Sequence, residues 1–147
     1  LENILSGKRK FGFMDNKNRL INTNRAVISC TKETLCEQWL RFTRELHGLS
    51  DGEIVLAGKF LDKRIELKEK ITDDELLDEY LQSTKVRQGV KEAANVKNSA
   101  VFQNMLSSLR KKKFFLAGDR INKAFIPNLD DPSKKYFKVE IIFKIDG

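Results

Sequence analysis

Positive charge is concentrated in one short segment of this chain. Residues 85–113 carry eight Lys and Arg against one acid, Glu92, so their net charge of +7 equals that of the whole 147-residue chain. A concentrated excess of one sign favours binding to a polyanion such as nucleic acid. A lysine-rich surface that is merely solvated has the same composition, so the pattern of the other residues must decide. The eight cations are Lys85, Arg87, Lys91, Lys97, Arg110, Lys111, Lys112 and Lys113.

The apolar residues of this segment predict which side chains face outward. Phe102, Met105 and Leu109 recur at helical spacing, so one side of a helix over 99–112 is expected to be buried. On the other side, Gln and Asn can pair bidentately with adenine and Ala can contact the thymine methyl, whereas no Arg lies in the first turns to read guanine. We therefore predict a preference for A·T-containing sites, unless these are ordinary surface residues. The predicted base-reading residues are Ala100, Gln103, Asn104 and Ser107.

The basic side chains around this helix are predicted to contact DNA phosphates, which set register and affinity but carry no sequence information. If about five of them engage, log K should fall with log salt concentration at a slope of about −4 to −5. The predicted phosphate contacts are Lys85, Lys91, Lys97, Arg110, Lys111, Lys112, Lys113, Lys134 and Lys135.

Two helices joined by a short turn are predicted to carry these residues. Thr84 is the expected N-cap of the first helix, residues 95–98 form a polar turn, and Asn98 or Ser99 caps the second helix. This spacing is typical of a helix-turn-helix.

Further helices are predicted upstream. Two capping boxes, at residues 50–53 and 72–75, open a helix that runs to about residue 63 and a helix that includes residues 76–81. Thr31 is expected to begin an amphipathic helix, which Gly48 ends.

Two β-hairpins are also predicted. Apolar and other residues alternate strictly over 136–145, which indicates a strand, and residues 120–126 are its expected partner. The link 127–135 contains both prolines of the chain and ends in two lysines, so it would form a basic wing between the strands. Near the N-terminus, residues 10–14 and 19–21 flank a turn-rich tetrad at 15–18 and are expected to form the other hairpin.

The order of these elements resembles the winged helix-turn-helix superfamily of DNA-binding proteins. The resemblance covers residues 49–147 and rests on the Leu-Ser-Asp-Gly-Glu opening at 49–53, the second helix and turn at 90–96, and the helix at 99–112 followed by Phe114 and Phe115. It implies an α+β fold, in which residues 1–48 form a hairpin-plus-helix extension packed on the winged domain. An extra helix at 73–81 departs from the superfamily pattern. The Lys-heavy, Asn-rich composition is typical of AT-rich bacterial or bacteriophage genomes.

These observations favour a double-stranded DNA-binding regulator of transcription or replication, encoded by a bacteriophage and acting in the cytoplasm of its bacterial host. The alternative is a structural or adaptor protein, in a virion or a polymerase assembly, that uses the fold only for protein contacts. Protein partners or a second copy would then bind the N-terminal extension or the acidic stretch 73–79. No catalytic motif, metal site or cofactor is predicted, since Cys30, Cys36 and His47 are too few for such chemistry. No membrane span is predicted either, because no apolar run approaches about 18 residues.

Overall fold

Helices make up most of the part of the chain that the computed structural model describes, which comprises residues 19–20, 25–129 and 135–147. Of these described residues, more than half are helical and 3% lie in strands. Two short strands, β1 (Arg19–Leu20) and β2 (Ala26–Val27), pair antiparallel. The helices are α1 (Leu35–Phe42), α2 (Arg44–His47), α3 (Asp51–Lys68), α4 (Asp74–Leu81), α5 (Thr84–Ala93) and α6 (Ser99–Lys111), followed by 3-10 turns at Ala117–Asp119 and Lys123–Phe125.

Helix α3 lies at the centre, and α1, α4, α5 and α6 all pack against it. Its N-terminus has the predicted capping box: the Ser50 hydroxyl accepts from the Glu53 amide, and the Glu53 carboxylate accepts from the Ser50 amide at 2.8 Å. Along the helix, Leu56, Phe60 and Leu61 are completely buried. A helix surrounded by others must be apolar on most of its sides, which explains why α3 has no single apolar stripe.

The surrounding helices contribute apolar side chains to one core. Leu77, Leu81, Val86 and Val90 are buried on α4 and α5, and Phe102, Leu106 and Leu109 are buried on α6. Three aromatic rings then follow α6 into the core, because Phe115 contacts Phe60 edge to face at 5.2 Å and Phe114 contacts both Phe115 and Phe125. These contacts hold the chain after α6 against the helical body.

The predicted α+β winged fold is wrong. Residues 136–145 form no strand, and residues 120–126 contain the turn Lys123–Phe125 and only one isolated bridge, between Phe115 and Ile121. The Asn122 side chain accepts from the Ala124 amide and so closes that turn, while Phe125 is buried and its carbonyl accepts from Trp39 Nε1 at 2.8 Å. Burial of Phe125 in the core thus overrides the strand preference of residues 120–126. Without that strand, no hairpin supports the predicted wing at 127–135. Residues 130–134 lie outside the described part.

Several predicted helix boundaries are also corrected. Asp73 caps α4 in place of Thr72, and Ser83 caps α5 in place of Thr84. The predicted helix over 31–47 is broken at Thr43, whose hydroxyl donates to the Trp39 carbonyl at 2.9 Å. Helix α3 continues to Lys68, beyond the predicted end near residue 63.

The predicted N-terminal hairpin lies mostly outside the described residues. Its first strand, at 10–14, and its turn, at 15–18, are among these. Of the second predicted strand, Arg19–Leu20 is described, and it pairs with Ala26–Val27.

Helix α1 approaches α3 closely at Gly58, which gives a first test. A Cβ at Gly58 would lie 3.6 Å from the Cα of Glu37, an ordinary van der Waals distance. Replacing an interior helical Gly by Ala should therefore raise the free energy of unfolding by about 0.5–1 kcal/mol, measured by urea denaturation. Gly89→Ala, where a Cβ meets nothing within 4 Å, is the matched control. A loss of stability in Gly58→Ala alone would contradict the α1–α3 spacing.

Candidate nucleic-acid interface

Two asparagines set the geometry of the turn between α5 and α6. Asn95 has a positive φ of 59°, and the Val96 amide donates to the Lys91 carbonyl at 3.0 Å, which closes α5 in a Schellman motif. Asn98 then caps α6, since its side chain accepts from the Ala100 and Val101 amides. The predicted helix, turn and helix are confirmed, with the turn where the sequence predicted it.

The predicted base-reading residues share the exposed side of α6. Phe102, Leu106 and Leu109 are buried on the opposite side, as the periodicity predicted. Among the described residues, the polar side chains of this exposed side have no hydrogen-bond partner, so they are free to bind a ligand. The exposed residues are Ala100, Gln103, Asn104 and Ser107.

A buried carboxylate anchors the other side of α6 to α3. Lys112 Nζ lies 2.6 Å from Glu53 Oε1 and also donates to the Gly48 carbonyl at 3.1 Å, while the Ser108 hydroxyl donates to Glu53 Oε2. Burial raises the pKa of Glu53, but the hydrogen bonds from Lys112, Ser108 and Ser50 outweigh it and lower the pKa to about 2. Lys112, a predicted phosphate contact, is therefore engaged inside the protein.

A second carboxylate, Asp119, forms ion pairs with the two arginines of residues 85–113, Arg87 and Arg110. Arg110 binds it through two nitrogens, at 2.7 Å and 3.0 Å, and Arg87 Nη2 lies 2.9 Å from its Oδ2. The Arg110 hydrogen bond lowers the pKa of Asp119, and the pKa of Arg110 is raised. Because α5, α6 and the turn at Ala117–Asp119 meet here, Arg87 and Arg110 contribute to the fold, and Asp119 compensates one of their two charges.

The other five cations of residues 85–113 are not neutralised by an acidic side chain of the described residues. None of them has an ion-pair partner within residues 19–20, 25–129 and 135–147. Lys91 Nζ donates only to the Lys97 carbonyl, at 3.4 Å. Lys135 is exposed, and Lys134 lies outside the described residues. The uncompensated cations are Lys85, Lys91, Lys97, Lys111 and Lys113.

The acidic stretch 73–79, a predicted partner surface, is partly used inside the protein. Asp74 lies 2.5 Å from Lys68 Nζ and 3.3 Å from Arg64 Nη2. Asp78 is mostly buried and faces Arg64, with 3.8 Å between Asp78 Oδ1 and Arg64 Nε. Two of the carboxylates thus join α3 to α4, which leaves fewer acids for a partner.

The single histidine is part of the fold. The His47 Nδ1 accepts from the Leu49 amide at 3.0 Å, and its Nε2 lies 2.9 Å from the Leu40 carbonyl, which suits a neutral ring. Burial lowers its pKa. Cys30 and Cys36 are free thiols, and burial raises the pKa of Cys36. Within the described residues, no His, Cys, Asp and Glu side chains cluster as a metal site would require.

The sequence did not reveal Glu53 and Asp119 as the residues that fix the interface. Glu53 has a local signal as the last residue of a capping box, but its partners Ser108 and Lys112 lie more than fifty positions away. Asp119 follows Gly118 in a turn with no recognisable motif. Only the packing of α6 on α3 brings these groups together.

Comparisons with protein-family models, with curated proteins and with solved structures find no match. In the part of the chain that is described, no helix has both the length and the apolar character needed to cross a bilayer. The function must therefore be inferred from the exposed face of α6 and its cations.

The Glu53 network predicts an acid-dependent loss of stability. Since the folded pKa of about 2 lies below the ordinary value of 4.5, the stabilisation is complete above pH 4.5 and is lost as the pH falls towards 2. It amounts to about 3 kcal/mol. Glu53→Gln should lower stability at pH 7, and the difference from the unmodified protein should vanish near pH 2 in urea titrations. Glu45→Gln, at an exposed position, is the control. A pH-independent difference would contradict the network.

Proposed function

We propose that the chain binds double-stranded DNA with a sequence bias, by placing the exposed side of α6 in the major groove. The observation that carries this proposal is the free polar face of α6, Gln103 and Asn104 above all, on a helix whose other side is locked to α3. An α-helix fits the major groove, and amide side chains suit adenine while Ala100 suits the thymine methyl. The expected target contains A·T pairs. A regulator of transcription or replication uses this kind of binding.

The uncompensated lysines support the proposal because they flank α6. Lys97 directly precedes the helix, and Lys111 and Lys113 lie at its end. A helix of 13 residues is about 20 Å long, so these charges bracket a stretch of groove. Lys91, in the last turn of α5, adds charge beside the turn between α5 and α6, and Lys85 lies at the other end of α5. About five phosphate contacts correspond to a salt slope of about −4 to −5.

Reversing two of these charges should weaken binding to every sequence. Lys97→Glu with Lys111→Glu leaves the Glu53 and Asp119 contacts intact, so the fold is retained while phosphate attraction falls. Affinity for A·T-rich and G·C-rich duplexes should fall by similar factors, and the salt slope should become shallower by about 2. Fluorescence anisotropy at two salt concentrations measures both effects. Lys32→Glu with Lys70→Glu, an equal charge change at exposed positions, should have a smaller effect. Equal losses in the two double variants would indicate only nonspecific attraction.

Removing the side-chain amides of Gln103 and Asn104 should instead reduce the preference for A·T-containing duplexes. Gln103→Ala with Asn104→Ala removes hydrogen bonds to bases and no charge, so affinity for a preferred A·T-containing duplex should fall by about 1–3 kcal/mol per lost bidentate contact. Affinity for a G·C duplex should change little. Competition between the two duplexes gives the ratio directly. An unchanged ratio would show that these amides do not read bases.

A protein-contact role is the second candidate, and one observation favours it. The apolar side chains of residues 136–145 are largely exposed, which is typical of a surface that another protein covers. Absence of binding to duplex DNA at low salt, with assembly in a fixed stoichiometry, would favour this role over DNA binding.

A further inference from the structure

The C-terminal segment 136–146 exposes a run of large apolar side chains. Ile142 is 76% exposed, Phe143 89% and Ile145 92%, and Tyr136, Val139 and Ile141 are exposed as well. Contiguous apolar residues in water are unfavourable and mark surfaces that a partner covers. The apolar side chains of this segment therefore lack the buried contacts that such side chains usually make in a folded protein.

The segment has the character of a strand without a neighbour. Its residues are mostly β-branched or aromatic, and apolar side chains fill the odd positions from Phe137 to Ile145. The side chains of Lys144 and Asp146 lie on the same side, with 3.5 Å between Lys144 Nζ and Asp146 Oδ1, as in an extended chain. No ladder involves this segment in the described part of the chain. An unpaired strand offers its backbone to another chain.

We propose that this segment pairs with the same segment of a second copy, as an antiparallel β-ribbon centred on Ile142. In that register Glu140 lies opposite Lys144 of the other copy, and Lys138 lies opposite its Asp146. Twofold symmetry repeats both opposite-charge pairs. On the other face, Val139 lies opposite Ile145 and Ile141 opposite Phe143. Opposite charges and apolar pairs at directly facing positions both stabilise antiparallel strands.

The neighbouring registers are less favourable because they place like charges opposite each other. Centring on Glu140 opposes the two Glu140 side chains, and centring on Ile141 opposes Lys138 and Lys144. Centring on Phe143 opposes Glu140 and Asp146. If each residue's pairing partner shifts by only one residue, odd-numbered residues lie opposite even-numbered ones. The apolar face of one strand would then lie beside the polar face of the other. The charges thus select the register and identify the occupant as a second copy.

The start of the segment is already attached to the helical body. Phe137 contacts the Trp39 ring of α1, with 6.0 Å between centroids, and Trp39 is in turn fixed by its hydrogen bond to the Phe125 carbonyl. A two-stranded ribbon alone is marginally stable, so its apolar face needs cover. The contact between Phe137 and Trp39 occurs once in each copy and supplies cover at both ends of the ribbon.

Charge reversal tests the pairing without DNA. Lys144→Glu replaces both attractive pairs with Glu140 by repulsive ones, so the dimer dissociation constant from analytical ultracentrifugation should rise by about tenfold. Glu140→Lys combined with Lys144→Glu restores opposite charges and should return the constant to near its original value. Circular dichroism should show unchanged helix content. A chain that stays monomeric overturns the proposal and leaves the edge strand of a different protein as the occupant. A dimer that ignores both changes also overturns it.

A cysteine at the centre of the ribbon tests the register. In a Cys30→Ser background, Ile142→Cys faces its own copy at a separation within the range of a disulfide and should cross-link rapidly under mild oxidation. Ile141→Cys faces Phe143 and should cross-link slowly. Equal rates, or a faster rate for Ile141→Cys, would overturn the pairing centred on Ile142. Because these measurements contain no DNA, their failure would leave the proposed function of α6 untouched.

Discussion

The Glu53 carboxylate fixes α6 to α3 on the side of α6 that faces away from solvent. It caps the first turn of α3, and it accepts hydrogen bonds from Ser108 and Lys112 near the end of α6. Its side chain is only 9% exposed, so an unpaired charge there would be costly, and Ser108 and Lys112 must face α3. With that side of α6 fixed, Gln103 and Asn104 necessarily point away from the core. The buried charge thus reinforces the orientation that the apolar side of α6 sets, and the proposed function depends on that orientation.

The same carboxylates divide the basic segment into structural and open cations. Glu53 engages Lys112, and Asp119 engages Arg87 and Arg110, so these three cations stabilise the arrangement of α5 and α6. Both arginines of the segment belong to this structural set. Arg suits such planar, two-point pairing with a carboxylate, whereas flexible lysines suit contacts with phosphates that carry no sequence information. Within the described residues, the cations of 85–113 that have no ion-pair partner are therefore all lysines.

Local features of the sequence predicted the positions of the helices, although some boundaries were wrong, whereas the predicted strand pairing depends on long-range contacts and failed. The stripe of Phe102 and Leu109, the cap at Asn98 and the capping box at Ser50 each depend on neighbours within one or two turns. A strand instead needs a partner that local pattern does not specify, which is why the alternation over 136–145 predicts half of a hairpin that the structure does not form. The expected partner strand, residues 120–126, instead packs in the core through Phe125.

For the candidate site, the sequence predicted the exposed residues better than the paired ones. Outward positions on α6 follow directly from its apolar stripe, so Gln103 and Asn104 were predicted to face away from the core, and the structure confirms this. Arg110 pairs with Asp119 and Lys112 pairs with Glu53. These ion pairs depend on where the turn at Asp119 and helix α3 lie in three dimensions. No spacing within residues 85–113 encodes those distances.

Titrating the isotopically labelled protein with an A·T-containing duplex at low salt, followed by amide and side-chain NMR, tests whether α6 reads DNA. The largest shifts should fall on Ala100, Gln103, Asn104 and Ser107, with smaller shifts around Lys97 and Lys111. Residues around Glu53 and Phe60 should change little. An absence of shifts, or shifts confined to another face of the molecule, would contradict the assignment of α6 as the DNA-reading helix.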